Sequence, residues 1–264
     1  MDLQITNKLA LVTGSTAGIG LAIAEALAAE GARVIVNGRT EGRVREACAQ
    51  IRSKHPQAQL QTLALDLSTP EAATETTHRF PELGILVNNL GVYEPRPFEE
   101  ITDEEWRSII ETNFMSGVRL SRHYLPRMRF EDSGRIIFIS SESAVNQPVE
   151  MIHYGITKTM QVALARGLAE TTAGTAVTVN SVLVGPTRSE GVETFLEDMA
   201  RTKNLTKAQV EEEFFKSVRP SSLIQRFATV AEVASTVAYL CSPLAAATNG
   251  AAIRVEGGLL RSIL

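Results

Sequence analysis

In "HYGITKTM" Tyr154 and Lys158 stand four positions apart. On a helix that spacing stacks the two side chains on one face, one turn apart. A phenol titrates near pH 10, too high for acid–base work at neutral pH, and a nearby ammonium favours the phenolate and lowers that value. The pair could therefore move a proton. Tyrosine and lysine also meet at this spacing by chance, as an ordinary aromatic beside a surface lysine, so the pair needs a reason from elsewhere in the chain.

A glycine-rich stretch supplies one. "TGSTAGIG", residues 13–20, lies between a first apolar run and a first helical pattern. A helix N-terminus offers free N–H groups and a partial positive charge, which attract phosphate. Gly14 suits a tight turn, and Gly18 and Gly20 let a pyrophosphate and the neighbouring strand approach closely. The spacing is G-x-x-x-G-x-G and meets the G-x-G-x-x-G dinucleotide fingerprint only loosely. A tight turn without a ligand is the bland alternative.

The second apolar run ends "VNGRT". Sites for NAD place a carboxylate there to hold the ribose 2′-hydroxyl, whereas a guanidinium pairs with a 2′-phosphate. Arg39 therefore predicts NADP(H) over NAD(H), unless it is merely a solvated loop residue. The fourth run ends "VNNLG", which puts Asn88, Asn89 and Gly91 at the carboxyl end of a strand, where open parallel sheets bind ligands. Gly91 would admit a ribose, although Asn and Gly are also ordinary turn residues. Asp66 and Leu67 close the third run and are candidates for flanking an adenine.

The elements that must position these residues read as an alternation. Seven short apolar runs begin at Leu9, Arg33, Leu60, Leu83, Gly134, Ala176 and Ala251. They are rich in Val, Ile and Leu and hardly alternate with polar residues, as strands covered on both faces do. Helix signals separate them. Gly31 is a natural stop, and Thr102 with Glu105 and Thr229 with Glu232 have capping-box spacing. Strand–helix alternation predicts an α/β fold: a Rossmann-like, doubly wound, seven-stranded parallel sheet with helices on both faces, in a single domain over residues 1–264. One segment, 187–226, is too long for an ordinary connection and reads as a lid or substrate loop. Within it Thr206 and Gln209 would cap a helix running to about Ser217. Phe195, Leu196, Met199, Phe214 and Phe215 would either line a pocket or pack the lid.

Composition narrows the classes of function. The chain has 26 basic and 30 acidic residues, a formal charge of −4, and no basic run, which argues against nucleic acid as a partner. No stretch is long and apolar enough for a membrane helix, and the start, "MDLQITNKLALVTG", carries no secretion pattern. Cys48 and Cys241 give neither a disulfide framework nor metal-ligand spacing, so no metal is expected and a reduced, cytoplasmic setting fits.

Taken in order, "TGSTAGIG", "NNLG", Asn113, a serine after the fifth run, "YGITK", "VGPT" and "VEGG" resemble the short-chain dehydrogenase/reductase family over nearly the whole chain. The resemblance implies an NAD(P) cofactor, a small alcohol or carbonyl substrate, and a homo-oligomer, since many members are tetramers or dimers. It implies catalytic roles for Asn113, inside the fourth helix, and for Ser141, Tyr154 and Lys158; Ser140 and Ser143 lie close enough to Ser141 to compete for its place. It also implies cofactor contacts at Gly14, Ser15, Thr16, Gly18, Ile19, Gly20, Arg39, Asp66, Leu67, Asn89, Gly91, Tyr154, Lys158, Gly185 and Thr187. Two departures stand out: Leu90 replaces a small residue beside the adenosine, and Val184–Gly185 replaces the usual P-G, removing a rigidifying proline. A cofactor-binding sensor or assembly subunit with little turnover is the competing reading, and transient cofactor use in epimerisation or dehydration is a third. His153 would point about 100° around the helix from Tyr154, toward packing or an interface.

Overall fold

In the computed structural model, which describes residues 1–263, the chain runs β1 (Leu9–Val12), α1 (Gly18–Ala29), β2 (Arg33–Gly38), α2 (Glu41–Lys54), β3 (Gln59–Ala64), α3 (Pro70–Arg79), β4 (Ile85–Asn88), α4 (Asp103–Ile110), α5 (Ser116–Phe130), β5 (Gly134–Ser141), α6 (Ile152–Glu170), β6 (Val177–Val184), β7 (Thr187–Arg188), α7 (Glu190–Lys203), α8 (Lys207–Ser217), β8 (Ala228–Thr229), α9 (Val230–Leu240) and β9 (Ala252–Val255). Seven strands form one sheet in the order β3-β2-β1-β4-β5-β6-β9, every pair parallel. Strand order reverses between β1 and β4, so their carboxyl ends open the crevice where such sheets bind ligands.

Successive strand residues feed opposite faces. Ala10, Val12, Val34 and Val36 join Ile23 and Leu27 of α1, Val44 and Ile51 of α2, and Val233 and Val237 of α9. Leu11 and Ile35 turn the other way, toward Ala72 of α3, Leu120 and Tyr124 of α5, and Ala165 of α6. This two-sided burial is why the central strands lack polar alternation. The edge strands differ from the expectation of complete cover: Gln59 and Thr62 of β3 and Ala252 of β9 are exposed, because each edge strand has a neighbour on one side only. β3 also stops at Ala64, short of Asp66, whose carboxylate instead accepts hydrogen bonds from the Ser68 amide at 3.1 Å and hydroxyl at 2.8 Å.

Three capping boxes form as their spacing predicts, at Thr102–Glu105, Thr206–Gln209 and Thr229–Glu232. Gly31 ends α1 with φ of 82°. Two features of the helices were not foreseen. A π-helical turn, Glu111–Met115, joins α4 to α5 and carries Asn113. The excursion after β6 holds α7 as well as α8, and the pair encloses a small core of Leu196, Val210, Phe215 and Phe227, with Met199 and Phe214 partly buried against it and Phe195 exposed. The two-residue parallel ribbon of β7 and β8 closes its base. The C-terminal Leu259 and Leu260 are covered by the fold itself, beside Ala144 and Leu183.

Candidate active site

The turn after β1 is built to leave donors free. Gly14 and Gly18 adopt φ of 61° and 54°, a region side chains disfavour. α1 starts at Gly18 behind Ala17, which has no side chain to cap it, and its first turn holds no acidic residue. The N–H groups there are thus left for an anion. Several residues named from the sequence brace this turn. Ser15 is fully engaged: its amide donates to the Asn37 carbonyl at 2.8 Å, and its hydroxyl donates to Val12 O at 2.7 Å and accepts from the Asn37 amide at 2.9 Å. The Asn37 side chain accepts from the Gly14 amide at 3.0 Å, and Asn89 Nδ2 donates to Thr13 O and Gly14 O at 2.9 and 3.1 Å. Asn37 stands at the end of an otherwise apolar strand, which is the only mark of its role in the sequence; the structure buries it.

Around this turn, Ile19 is half-buried against the core, and Thr16 lies against Gly38. Arg39 is exposed at the tip of β2 and makes no ion pair or hydrogen bond among the described residues. Asp66 is exposed, whereas the Leu67 side chain is buried in the second core and leaves only its backbone to a ligand. Leu90 packs on that same core. Gly185 is needed for a tight approach to the Glu256 backbone, 2.6 Å from where a Cβ would stand. Thr187 is buried and its hydroxyl donates to Gly185 O at 2.9 Å. The free N–H groups, the open glycine turn and the unpaired Arg39 fit a phosphorylated dinucleotide.

The second half of the site gathers at the end of β5 and the start of α6. Of the three serines, Ser140 donates to Lys158 O at 2.9 Å and Ser143 donates to the Glu142 carboxylate at 2.5 Å. Ser141 is the one that faces the Tyr154 phenol, while its hydroxyl donates to Glu142 Oε2 at 3.2 Å and accepts from the Ser143 amide at 3.1 Å. Lys158 Nζ lies 5.6 Å from the centre of the Tyr154 ring and donates to Ile139 O at 2.9 Å. A Cβ on Gly91 would stand 3.3 Å from that ammonium, so the glycine keeps its approach open. Asn113 is buried; its side chain accepts from the Val92 amide at 2.8 Å, donates to Val92 O at 2.9 Å and meets Thr157 at 3.1 Å. Its own carbonyl accepts from Gln161 Nε2 at 2.5 Å, while Gln161 Oε1 is buried without a partner among the described residues.

Burial dominates the acidities at the site. Burial pushes the Tyr154 phenol up to about 12; the neighbouring Ser141 hydroxyl opposes this, and Glu142 and Tyr93 reinforce it. The Lys158 ammonium lies over the ring face and donates to a backbone carbonyl. Burial also draws Lys158 itself down to about 8.

Tyr93, Glu142 and Arg219 also border the site, without a motif or spacing that marks them in the sequence. Tyr93 meets Tyr154 edge to face at 6.0 Å. Glu142, directly after Ser141, is buried, and Arg219 reaches it from beyond α8 at 3.0 Å. No spacing rule links positions 142 and 219, so only the fold reveals the pair. His153 is buried edge to face with Trp106 at 5.9 Å, in a packing role. Both cysteines are buried and free, no group of residues that could hold a metal occurs among those described, and no helix among them is long and apolar enough to cross a membrane.

A family model for short chain dehydrogenases matches residues 8–200. The chain is 49% identical over 263 residues to the uncharacterized oxidoreductase YvaG of Bacillus subtilis (strain 168), with 100% of each covered. A second uncharacterized oxidoreductase of that organism, YvrD, is 47% identical over 266 residues, again with 100% of each covered. Among solved structures, L-sorbose reductase from Gluconobacter frateurii, complexed with NADPH and L-sorbose, shares 30% identity with a TM-score of 0.92, covering 100% of both chains.

Proposed function

The chain belongs to the short-chain dehydrogenase/reductase family of oxidoreductases, and on that premise we propose that it is an NADP(H)-dependent enzyme acting on a small alcohol or carbonyl, with Tyr154 as general acid and base. The observation that carries the reading is the convergence of Ser141, Tyr154 and Lys158 beside an uncapped glycine turn. When bound, the nicotinamide would supply or accept the hydride and, once oxidised, add a positive charge. Tyr154, held protonated at neutral pH by burial, gives its proton to the alkoxide oxygen as a carbonyl is reduced, and takes it back in the reverse direction. Ser141 hydrogen-bonds the substrate oxygen and orients it. Lys158 presents its ammonium to the cofactor ribose through the gap at Gly91. Asn113 holds a water that links Lys158 to solvent.

Arg39 supports NADP(H), as does the likeness to an NADPH-bound reductase. The excursion at 187–226 acts as a lid over the substrate. The family also leads us to expect a homo-oligomer, a dimer or tetramer, which sedimentation would measure.

The test is loss of NADPH absorbance across a carbonyl panel that includes ketoses, with NADPH binding followed in parallel. Tyr154→Phe keeps the ring and loses the acid, so kcat should fall by roughly 10²-fold or more while NADPH affinity holds. A fully active phenylalanine variant would refute the mechanism. Binding without turnover across the panel would favour a cofactor-binding sensor or assembly subunit.

A further inference from the structure

Glu142 has no part in the mechanism above, yet its side chain is only 5% exposed and adjoins Ser141. A buried carboxylate is costly unless it is paired and hydrogen-bonded. Here one oxygen accepts from Ser141 Oγ at 3.2 Å and Ser143 Oγ at 2.5 Å, and the other accepts from Arg219 Nε at 3.0 Å. Arg219 follows α8, and its side chain is 12% exposed. Both of its terminal nitrogens lie 3.5 Å from Glu150, and one also donates to Val218 O at 3.1 Å. At its other end the excursion is tied by Glu190 to Arg43 at 3.7 Å, but those side chains are 69% and 55% exposed. Exposed pairs contribute little, so of the two ion pairs the buried one is the stronger tie; just beyond it the amides of Leu223 and Ile224 donate to Gly257 O at 2.8 and 3.2 Å and the Ser221 hydroxyl donates to Leu259 O at 2.8 Å.

We propose that Arg219 is a positioning residue: by clamping Glu142 it fixes the excursion to the end of β5, and it governs both the Ser141 hydroxyl and the charge that faces Tyr154. The proposal rests on the oxidoreductase reading. Ser141 has one hydroxyl hydrogen, and it is directed at Glu142, while the oxygen accepts from the Ser143 amide at 3.1 Å. A substrate carbonyl needs that same hydrogen. Glu142 can release it because Ser143 and Arg219 still satisfy the carboxylate. Without Arg219 the carboxylate would hold the serine hydrogen harder and repel a phenolate at Tyr154. The other groups facing that phenol are Ser141 from β5, Tyr93 from the loop after β4, and Lys158 from its own helix. Glu150 lies on the far side of Arg219.

The experiment uses the full chain with NADP⁺ and the alcohol product of a carbonyl found active in the panel. Alcohol oxidation should rise with pH as Tyr154 deprotonates. Arg219→Met should move that rise upward by about one pH unit, and Glu142→Gln should move it downward by a similar amount. The double variant and Arg219→Lys should both lie near wild type. A merely structural pair would shift both single variants in one direction, or leave the profile in place, and either result overturns the proposal. Hydrogen exchange of residues 190–219 should quicken in Arg219→Met and recover in Arg219→Lys; wild-type protection in Arg219→Met also overturns it. The exchange measurement needs no turnover, so if no carbonyl reacts, the oxidoreductase reading fails while the clamp is still decided.

Discussion

At the tip of β2 the Arg39 guanidinium stands exposed and unpaired among the described residues, while Arg43, four positions on, is held 3.7 Å from Glu190. Glu41, the one acidic residue in the first turn of α2, lies 3.6 Å from Arg45. On the NADP(H) reading proposed above, Arg39 is the cation that would meet a ribose 2′-phosphate. A charge-assisted hydrogen bond contributes about 1.5–3 kcal/mol, which corresponds to roughly 10- to 100-fold in affinity. Arg39→Ser should weaken NADPH binding by about that factor and leave NADH binding nearly unchanged, as read by titration calorimetry. Wild-type protein that binds NADH as tightly as NADPH would remove Arg39 from this role. The sequence names Arg39 by its place at the end of a strand and Tyr154 with Lys158 by their helical spacing, whereas Ser141 is named only through the family resemblance, with Ser140 and Ser143 open beside it. Ser15 and Asn89 were legible as part of the site, but their polar groups serve to brace the glycine turn. Glu142 with Arg219 and Gln161 with Asn113 were illegible, since each pair is joined only by the fold across 77 and 48 positions.

Among the elements, the strands and the capped helices could be read because their signals are local. α8 and α9 begin at reciprocal boxes, Thr206–Gln209 and Thr229–Glu232. Ser189 caps α7, but Val192 at the third helical position cannot complete a box, so the start of this helix carries a weaker signal. The π turn at Glu111–Met115 has no sequence signature, yet such turns occur often at functional sites, and this one carries Asn113. α8 offers a direct check on the excursion. Its Thr206 hydroxyl accepts from the Gln209 amide at 3.2 Å, and the Gln209 side chain accepts from the Thr206 amide at 2.9 Å. Thr206→Ala should cost about 1 kcal/mol of local stability. Hydrogen exchange in the first turn of α8 should quicken roughly fivefold, with β5 unaffected, because the α7–α8 pair has its own small core. Equal loss of protection in β5 would mean that the excursion and the sheet unfold as one unit.

Across the whole molecule, the two-faced core explains why the alternation of runs gave the architecture correctly and the edge strands less well: burial on both faces leaves a pattern, and an edge dilutes it. That core also encloses a charge. Lys158 is 5% exposed, makes no ion pair among the described residues, and donates to Ile139 O at 2.9 Å. Burial draws its pKa down to about 8, against about 10.4 in an unfolded chain. Below pH 8 both states carry the proton and the cost of burying it is full. Between about pH 8 and 10.4 the unfolded chain binds more protons than the native one, so stability contributed at this site rises with pH. Tyr154 acts oppositely: its native value near 12 exceeds the unfolded value near 10, so stability falls across that higher window. Lys158→Met removes the first effect, worth roughly 3 kcal/mol at neutral pH, and forfeits about 1 kcal/mol for the bond to Ile139. The variant should therefore melt several degrees above wild type at pH 7, and the gain should fade as pH rises toward 10.4 while turnover is lost. A variant that melts lower at every pH would show that the ammonium stabilises the fold. In that case the lysine would be part of the scaffold, and its burial would no longer argue that the molecule bears an unpaired charge for the sake of a ligand.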